Sequence, residues 1–289
     1  MYQRQITHHN RGAFVLMLDC SASMGGMTKL NNIVMSKAEA VALVSNLIID
    51  ELIERATRYH VVRDYYDIAV IGYQEQSIRS LLPEALGEGF VSVKYLSKFA
   101  PAHKVIHLDQ QLENGGVVSS PFSYRPWINP MSAGHTPMYE ALIALHSMVE
   151  EWCSRSENYH SFPPVVINIT DGECNDASSE DLVTIAQSIR NTHTVDGHTL
   201  FINVHLSTFD ELTSSSILFP AERSFRTEDC YRQMLFDMSS SIPQNLEPLI
   251  SDIIQPQDVG PYRAVAFNAS PIELFSILNI GSESIGFRR

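Results

Sequence analysis

The chain has 289 residues, of which 44% are apolar, so it can build a sizeable core in one large domain or two small ones. Its 33 acidic and 20 basic side chains give a formal net charge of -13. This balance argues against binding to a phosphate backbone or to anionic lipid, because both depend on Lys and Arg. We therefore expect neither a nucleic-acid partner nor a membrane partner.

Signals of secretion or membrane insertion are not evident in the sequence. No charged segment followed by an apolar one precedes Gly12, and no apolar run reaches the roughly 18 residues of a membrane span. The four cysteines are scattered without a C-x-x-C pair, which disfavours a zinc cage and a disulfide framework. We expect a cytoplasmic protein with reduced thiols.

The organisation of the chain favours a single domain over residues 12–280. A polar arm, residues 1–11, precedes this domain, and a short tail, residues 281–289, follows it. No internal repeat or linker-like tract divides the domain. Residues 82–130 are rich in Pro and Gly and contain short β-prone pieces, so we expect hairpins and loops inserted at one edge of a sheet.

The first predicted element is a buried strand. Residues 14–18 form a near-continuous apolar run, typical of a strand that is covered on both faces in a parallel sheet. The run ends in Asp19 and is followed by hydroxyls at Ser21 and Ser23. Open α/β sheets form their ligand sites at the carboxyl ends of strands. One carboxylate and two hydroxyls are hard oxygen donors, which suit a cation such as Mg2+.

A helix and a second strand are predicted next. Apolar residues from Val34 to Leu52 recur every three or four positions, which predicts a long core-facing helix after the Gly25-Gly26 turn. Residues 67–73 form a second buried apolar run. Strand, helix and strand make a βαβ unit, whose crossover is almost always right-handed.

Two later segments supply further oxygen donors. Thr136-Pro137 fits an N-cap followed by proline at the first helical position, so Thr136 would lie at a helix start. Residues 165–170 predict another buried strand, which ends at Asp171 and Gly172. The remaining predicted elements are a helix over 178–189, a strand over 199–206, a helix over 229–238, a strand over 264–267 and a helix over 271–278.

These segments together resemble the von Willebrand factor type A (VWA) domain with its metal-ion-dependent adhesion site, written D-x-S-x-S, then T, then D. Here the pattern reads Asp19-x-Ser21-x-Ser23, then Thr136, then Asp171. A single D-x-S-x-S is a weak signal, but three pieces in the family order at strand ends and a helix start are specific. The resemblance implies a doubly wound, mostly parallel, Rossmann-like α/β sheet with helices on both faces.

The resemblance also implies a function. In the family, residues at these positions hold Mg2+ or Mn2+, and a carboxylate from a partner protein completes the coordination shell. An acidic chain of this kind looks like the stand-alone prokaryotic members. Those include proteins of the tellurium-resistance TerY kind, which act beside a kinase and a phosphatase, and partners of MoxR-type AAA+ ATPases. We therefore expect a non-catalytic adaptor or regulatory subunit that binds a protein partner in a cytosolic complex.

Structural alternatives exist for each site residue. Ser21 and Ser23 could simply cap the long helix. Thr136 could be only an N-cap, and Asp171 could be only part of a turn. Two departures from the family pattern also matter. Ala22 stands where the family often has glycine, and the acidic residues beyond Asp171 could raise cation affinity or repel an acidic partner; they are Glu173, Asp176 and Glu180.

Catalysis is the alternative function. A metal-dependent hydrolase or phosphatase could use the same site to activate water. However, a dehalogenase-type phosphatase needs D-x-D at the first strand, and Ser21 stands at the second acid's position. The sequence contains no G-x-S-x-G, P-loop or H-E-x-x-H motif. We therefore expect no enzyme activity.

Overall fold

A central sheet organises the chain. The computed structural model describes residues 1–30, 33–75, 77–111, 117–171, 174, 176–206, 216–251, 260–269, 273–274 and 277. Among these residues, eight strands form one sheet. In chain order they are β1 (Gly12–Asp19), β2 (Tyr66–Gln74), β3 (Ser77–Ser80), β4 (Val91–Ser92), β5 (Val165–Thr170), β6 (Leu200–Leu206), β7 (Ile217–Leu218) and β8 (Val265–Ala269).

The sheet is mostly parallel. Its strand order is β7-β8-β6-β5-β1-β2-β3, and β4 also pairs with β2. The five strands from β8 to β2 in this order run parallel to their neighbours, whereas β3, β4 and β7 pair antiparallel at the margins. Strand β1 lies between β5 and β2, so its carboxyl end is central to one sheet edge.

Helices cover both faces of this sheet. The described α-helices are α1 (Lys37–Ala56), α2 (Val93–Leu96), α3 (Met138–Ser154), α4 (Ser179–Asn191), α5 (Cys230–Met238) and α6 (Glu247–Ser251). Leu16 of β1 belongs to the apolar cluster that includes α1, whereas its neighbour Met17 belongs to the cluster that includes α3, α4 and α5. The predicted doubly wound fold is therefore confirmed. Across the described ranges, every helix falls short of the length and apolar character that a bilayer span requires.

The segment between β1 and α1 differs from the sequence prediction. Met27–Leu30 and Ile33–Ser36 pair antiparallel in a hairpin, called the site hairpin below. The prediction that Val34 lies in the long helix was therefore wrong, and 54% of its surface is exposed. The helix begins at Lys37 because Ser36 and Glu39 form a capping box, in which each side chain accepts a hydrogen bond from the other residue's backbone N–H.

The region 82–130 contains strands and a short helix. Strand β4 pairs with β2, and α2 follows it directly. A second hairpin, Lys104–Gln111 with Val117–Tyr124, is a separate two-stranded sheet within the described residues. Trp127 ties the end of the region to α1, because its Nε1–H donates to Asp50 over 2.8 Å. Two short hairpins lie elsewhere, Thr57–Arg58 with Val61–Val62 and His193–Thr194 with Gly197–His198.

The remaining predicted elements agree with the structure to within one or two residues at most boundaries. Strands β5, β6 and β8 and helix α5 lie where the apolar patterns predicted them. Of the predicted helix over 271–278, only residues 273–274 and 277 are described, and these are helical. The predicted tail, 281–289, lies outside the described residues, as do Gly172 and Glu173.

Candidate metal site

Strand register brings the two predicted carboxylates to one sheet edge. Strands β1 and β5 are parallel neighbours, and Leu18 lies beside Ile169 in their pairing. Asp19 is the last residue of β1, and Asp171 directly follows the last residue of β5. The two side chains therefore occupy adjacent carboxyl ends, where open α/β sheets form ligand sites.

Asp19 is a buried carboxylate with only 2% of its surface exposed. Its Oδ1 accepts a hydrogen bond from the Ser21 N–H over 2.8 Å, and its Oδ2 accepts one from the Thr170 hydroxyl over 2.8 Å. Burial raises the pKa of Asp19 to about 6, although the hydrogen bonds from Ser21 and Thr170 oppose the increase. A nearby cation would favour the charged form of this carboxylate.

Ser21 and Ser23, in the loop that follows Asp19, connect this loop to Asp171 by hydrogen bonds. The Oγ atoms of Ser21 and Ser23 are 2.9 Å apart, and the Ser23 hydroxyl donates to Asp171 Oδ1 over 2.7 Å. Neither serine caps the long helix, because that position belongs to Ser36. The structural alternative for these two serines is therefore excluded. Ser21 is buried and Ser23 is exposed, so the row of oxygens reaches the surface.

Lys37 is a member of this cluster that the sequence did not indicate. It is the first residue of α1, only 2% of its side chain is exposed, and its ammonium pairs with Oδ2 of the fully buried Asp171 side chain. A cation at a helix N-terminus is unfavourable because of the helix dipole. The ion pair therefore accounts for the position of Lys37, and it shows that the surroundings of Asp171 accommodate a positive charge. Asp171 is more than a turn residue.

Thr136 belongs to a segment that is hydrogen-bonded to the loop after β1. The Ala133 N–H donates to the Cys20 carbonyl over 2.8 Å, and the Ala22 N–H donates to the Gly134 carbonyl over 3.0 Å. Gly134 has a φ of 70°, and a Cβ there would clash with the Glu75 side chain. These contacts place Thr136 at the same sheet edge.

The predicted capping role of Thr136 was wrong. Helix α3 begins at Met138, and Pro137 occupies the N-cap position without a capping side-chain hydrogen bond. Thr136 is nevertheless buried, with 4% of its surface exposed. Its burial at the sheet edge is therefore not explained by helix capping.

Asp176 caps the N-terminus of α3, a role that Thr136 was predicted to have. Its two carboxylate oxygens accept hydrogen bonds from the backbone N–H groups of Tyr139 and Glu140, each over 3.1 Å. This anion lies where the helix dipole favours it. Asp176 is thus engaged with the first turn of α3. Glu180 lies in the first turn of α4.

A line of buried polar side chains lies beneath the site. The Tyr73 hydroxyl donates to Asn168 over 3.1 Å, Asn168 donates to Asn203 over 2.9 Å, and Asn203 donates to Ser239 over 2.9 Å. Burial raises the pKa of Tyr73 well above its ordinary value, so its hydroxyl remains a donor. These bonds link β2, β5 and β6 to Ser239 at the end of α5. The sequence pattern gave no indication of this line.

The donor set suits a hard cation. The five predicted ligands offer two carboxylates and three hydroxyls, which are oxygen donors of the kind that Mg2+ and Mn2+ prefer. Across the described ranges, no three His, Cys, Asp or Glu side chains converge in a metal-binding arrangement. The cluster at the sheet edge is of a different kind, because most of its members are hydroxyls. In the metal-free chain the Lys37 ammonium neutralises one of its two carboxylates, Asp171.

Comparison with solved structures identifies the fold. The chain aligns with a von Willebrand factor type A protein from Catenulispora acidiphila at a TM-score of 0.51 and 14% identity, covering 96% of this chain and 43% of that one. The vWF domain of the type V pili tip protein Mfa5 from Porphyromonas gingivalis aligns at a TM-score of 0.48 and 10% identity, covering 97% of each chain. Comparison with protein-family models and with curated proteins gave no match.

Proposed function

We propose that this chain, which has the VWA fold, is a metal-dependent protein-binding module. Its predicted ligands for Mg2+ or Mn2+ are Asp19, Ser21, Ser23, Thr136 and Asp171. The observation that supports this most directly is the continuous row of oxygens from Ser21 through Ser23 to Asp171 at the carboxyl edge of the sheet.

The chemistry of the donor set explains how such a site would bind a partner. Three hydroxyls are neutral, so two carboxylates balance the charge of a divalent ion. A bound Mg2+ prefers about six oxygen ligands, and an acidic side chain from another protein can supply one of them. The loop after β1 is open to such a partner, because Ala22, Ser23 and Gly25 are exposed.

The net charge of the chain constrains the partner. At -13, the chain repels an acidic protein at long range, so attraction to a carboxylate must come from a local positive charge such as the metal. We therefore propose an adaptor or regulatory role in a cytosolic complex. By analogy with stand-alone prokaryotic VWA proteins, the candidate partners are a kinase and phosphatase pair or a MoxR-type AAA+ ATPase.

Calorimetric titration with Mn2+ and Mg2+ tests the site. We expect saturable binding by the wild type and at least tenfold weaker binding by Ser23→Ala. Ser147→Ala is the matched control, because Ser147 is also exposed and lies on α3, where its hydroxyl donates to the Ile143 carbonyl. Equal affinities of Ser23→Ala and the wild type would contradict the proposed ligand set.

A capture experiment then tests the function. Partner binding from a lysate of the source cells should require Mg2+ and should be lost in chelator and in Ser23→Ala, whose exposed side chain can be removed without breaking the buried ion pair. The hydrolase alternative predicts instead that the purified chain turns over phosphate or ester substrates with Mg2+ or Mn2+. Such turnover, abolished in Ser23→Ala, would replace the binding proposal with an enzymatic one.

A further inference from the structure

The ion pair between Lys37 and Asp171 bears on the metal affinity of the proposed site. We propose that the Lys37 ammonium is an internal competitor of the metal. It neutralises Asp171 in the metal-free chain, and it must release that carboxylate oxygen before a divalent cation can use it. This inference rests on the proposed metal site and adds the residue that tunes it.

The burial of the ion pair is the first observation. Lys37 and Asp171 are both shielded from water, and the ammonium contacts Oδ2 of the carboxylate. Removing one partner from a buried ion pair leaves the other charge uncompensated, which is strongly unfavourable. Asp171 therefore needs a positive charge beside it in the folded chain, and either Lys37 or a metal ion can provide it.

The backbone around Lys37 holds this residue beside the loop that follows β1. The site hairpin returns the chain so that the Lys37 N–H donates to the Gly26 carbonyl over 2.8 Å. A Cβ on Gly26 would lie 3.2 Å from Lys37 Cε and 3.1 Å from the Ser23 carbonyl oxygen. Glycine at position 26 thus leaves room for the lysine stem directly beside Ser23.

Both oxygens of Asp171 are engaged in this arrangement. Oδ1 accepts the Ser23 hydrogen bond, and Oδ2 pairs with Lys37. A serine hydroxyl can rotate its proton away and present a lone pair to a cation. An ammonium has no lone pair and repels a divalent ion, so Lys37 is the group that opposes metal binding at Asp171.

Metal affinity in a lysine variant tests the competition. We expect Lys37→Met to bind Mn2+ at least tenfold more tightly than the wild type in calorimetric titrations. Lys94→Met is the matched control, because it removes the same charge from an exposed position on α2, and its affinity should stay within twofold of the wild type. Tighter binding confined to Lys37→Met would therefore report a local effect.

The possible outcomes separate this inference from the proposed function. Equal affinities in all three proteins, or weaker binding by Lys37→Met, would overturn the inference while the wild-type binding upholds the metal site. Binding by Lys37→Met alone would support the inference and show that the lysine blocks the wild-type site. If neither protein binds Mn2+, both proposals fail.

A measurement on the wild-type chain covers the case in which Lys37→Met does not fold. Acetylation by an amine-reactive reagent, followed by peptide mass spectrometry, reports how accessible each lysine is. Lys37 should be protected in chelator and modified at least tenfold faster with saturating Mg2+, whereas Lys94 should react equally in both. Equal protection of Lys37 in both conditions would refute its displacement.

Discussion

Replacing Asp19 with Asn should stabilise the metal-free chain at neutral pH. Burial is the larger reason that the pKa of Asp19 rises from 3.8 to about 6, and the charge of Asp171 adds to it. A shift of about two pKa units corresponds to roughly 3 kcal/mol of folding free energy. Because the folded-state pKa is raised, this stability is present below about pH 4 and is lost as the pH rises through 6.

Asparagine can keep the hydrogen bonds of Asp19. Its amide oxygen can accept from the Ser21 N–H, as Asp19 Oδ1 does. Its NH2 group would face the Thr170 hydroxyl, which can accept that bond and donate to the Tyr231 hydroxyl 3.4 Å away. The substitution therefore removes a buried charge while keeping both of these hydrogen bonds, and the second amide N–H should offset only part of the predicted gain.

Urea unfolding in chelator measures the difference. Relative to the wild type, Asp19→Asn should be more stable by up to about 3 kcal/mol at about pH 7.5 and equal to it at about pH 4. Glu150→Gln is the control, because it removes one negative charge from an exposed position on α3 and should give no comparable gain. A destabilised Asp19→Asn at pH 7.5, or a gain independent of pH, would refute the reasoning. With Mg2+ at about 1,000 times its Kd the order should reverse, since ligand binding then stabilises the wild type by about 4 kcal/mol.

Three further predictions concern Thr136, Asp176 and Asn203. Thr136→Ala should weaken Mg2+ binding about tenfold in calorimetry, the loss expected for roughly 1.4 kcal/mol, whereas the exposed Thr184→Ala should leave it unchanged. Asp176→Ala should destabilise the chain by about 1–2 kcal/mol in urea without altering Mn2+ affinity, since it caps α3; lost metal binding would instead make it a site residue. Asn203→Leu should destabilise the chain by about 2–3 kcal/mol, because Asn168 and Ser239 lose a buried partner; an unchanged unfolding midpoint would contradict this.

The sheet could be predicted from the sequence because its strands are buried on both faces. Residues 14–18 and 165–170 are continuous apolar runs, and both lie within observed strands, β1 and β5. Parallel strands present their carboxyl ends at one edge, which is why Asp19 and Asp171 could be expected together. The start of α1 was also encoded locally, in the S-x-x-E of its capping box, but the apolar spacing from Val34 concealed it.

The contacts that Lys37 and Asp176 make with side chains or backbone of other elements join residues far apart in the chain. Lysine in a helical pattern usually reaches water, and the burial of Lys37 depends on the site hairpin and on Asp171. Asp176 caps α3, which begins at Met138, far earlier in the chain, so no local capping motif could identify Asp176. Local propensity cannot specify such partners, because they are set by the packing of the whole sheet edge.

The two buried carboxylates of this edge are stabilised in different ways. Asp19 receives hydrogen bonds from Ser21 and Thr170, and its raised pKa shows that they do not fully offset burial. Asp171 is paired with Lys37. Removing the charge of Asp19 should therefore stabilise the metal-free chain, whereas removing that of Asp171 should leave Lys37 buried without its counter-ion and destabilise it. Substitutions of these two predicted ligands should therefore change the stability of the metal-free chain in opposite directions, because the two side chains have different partners.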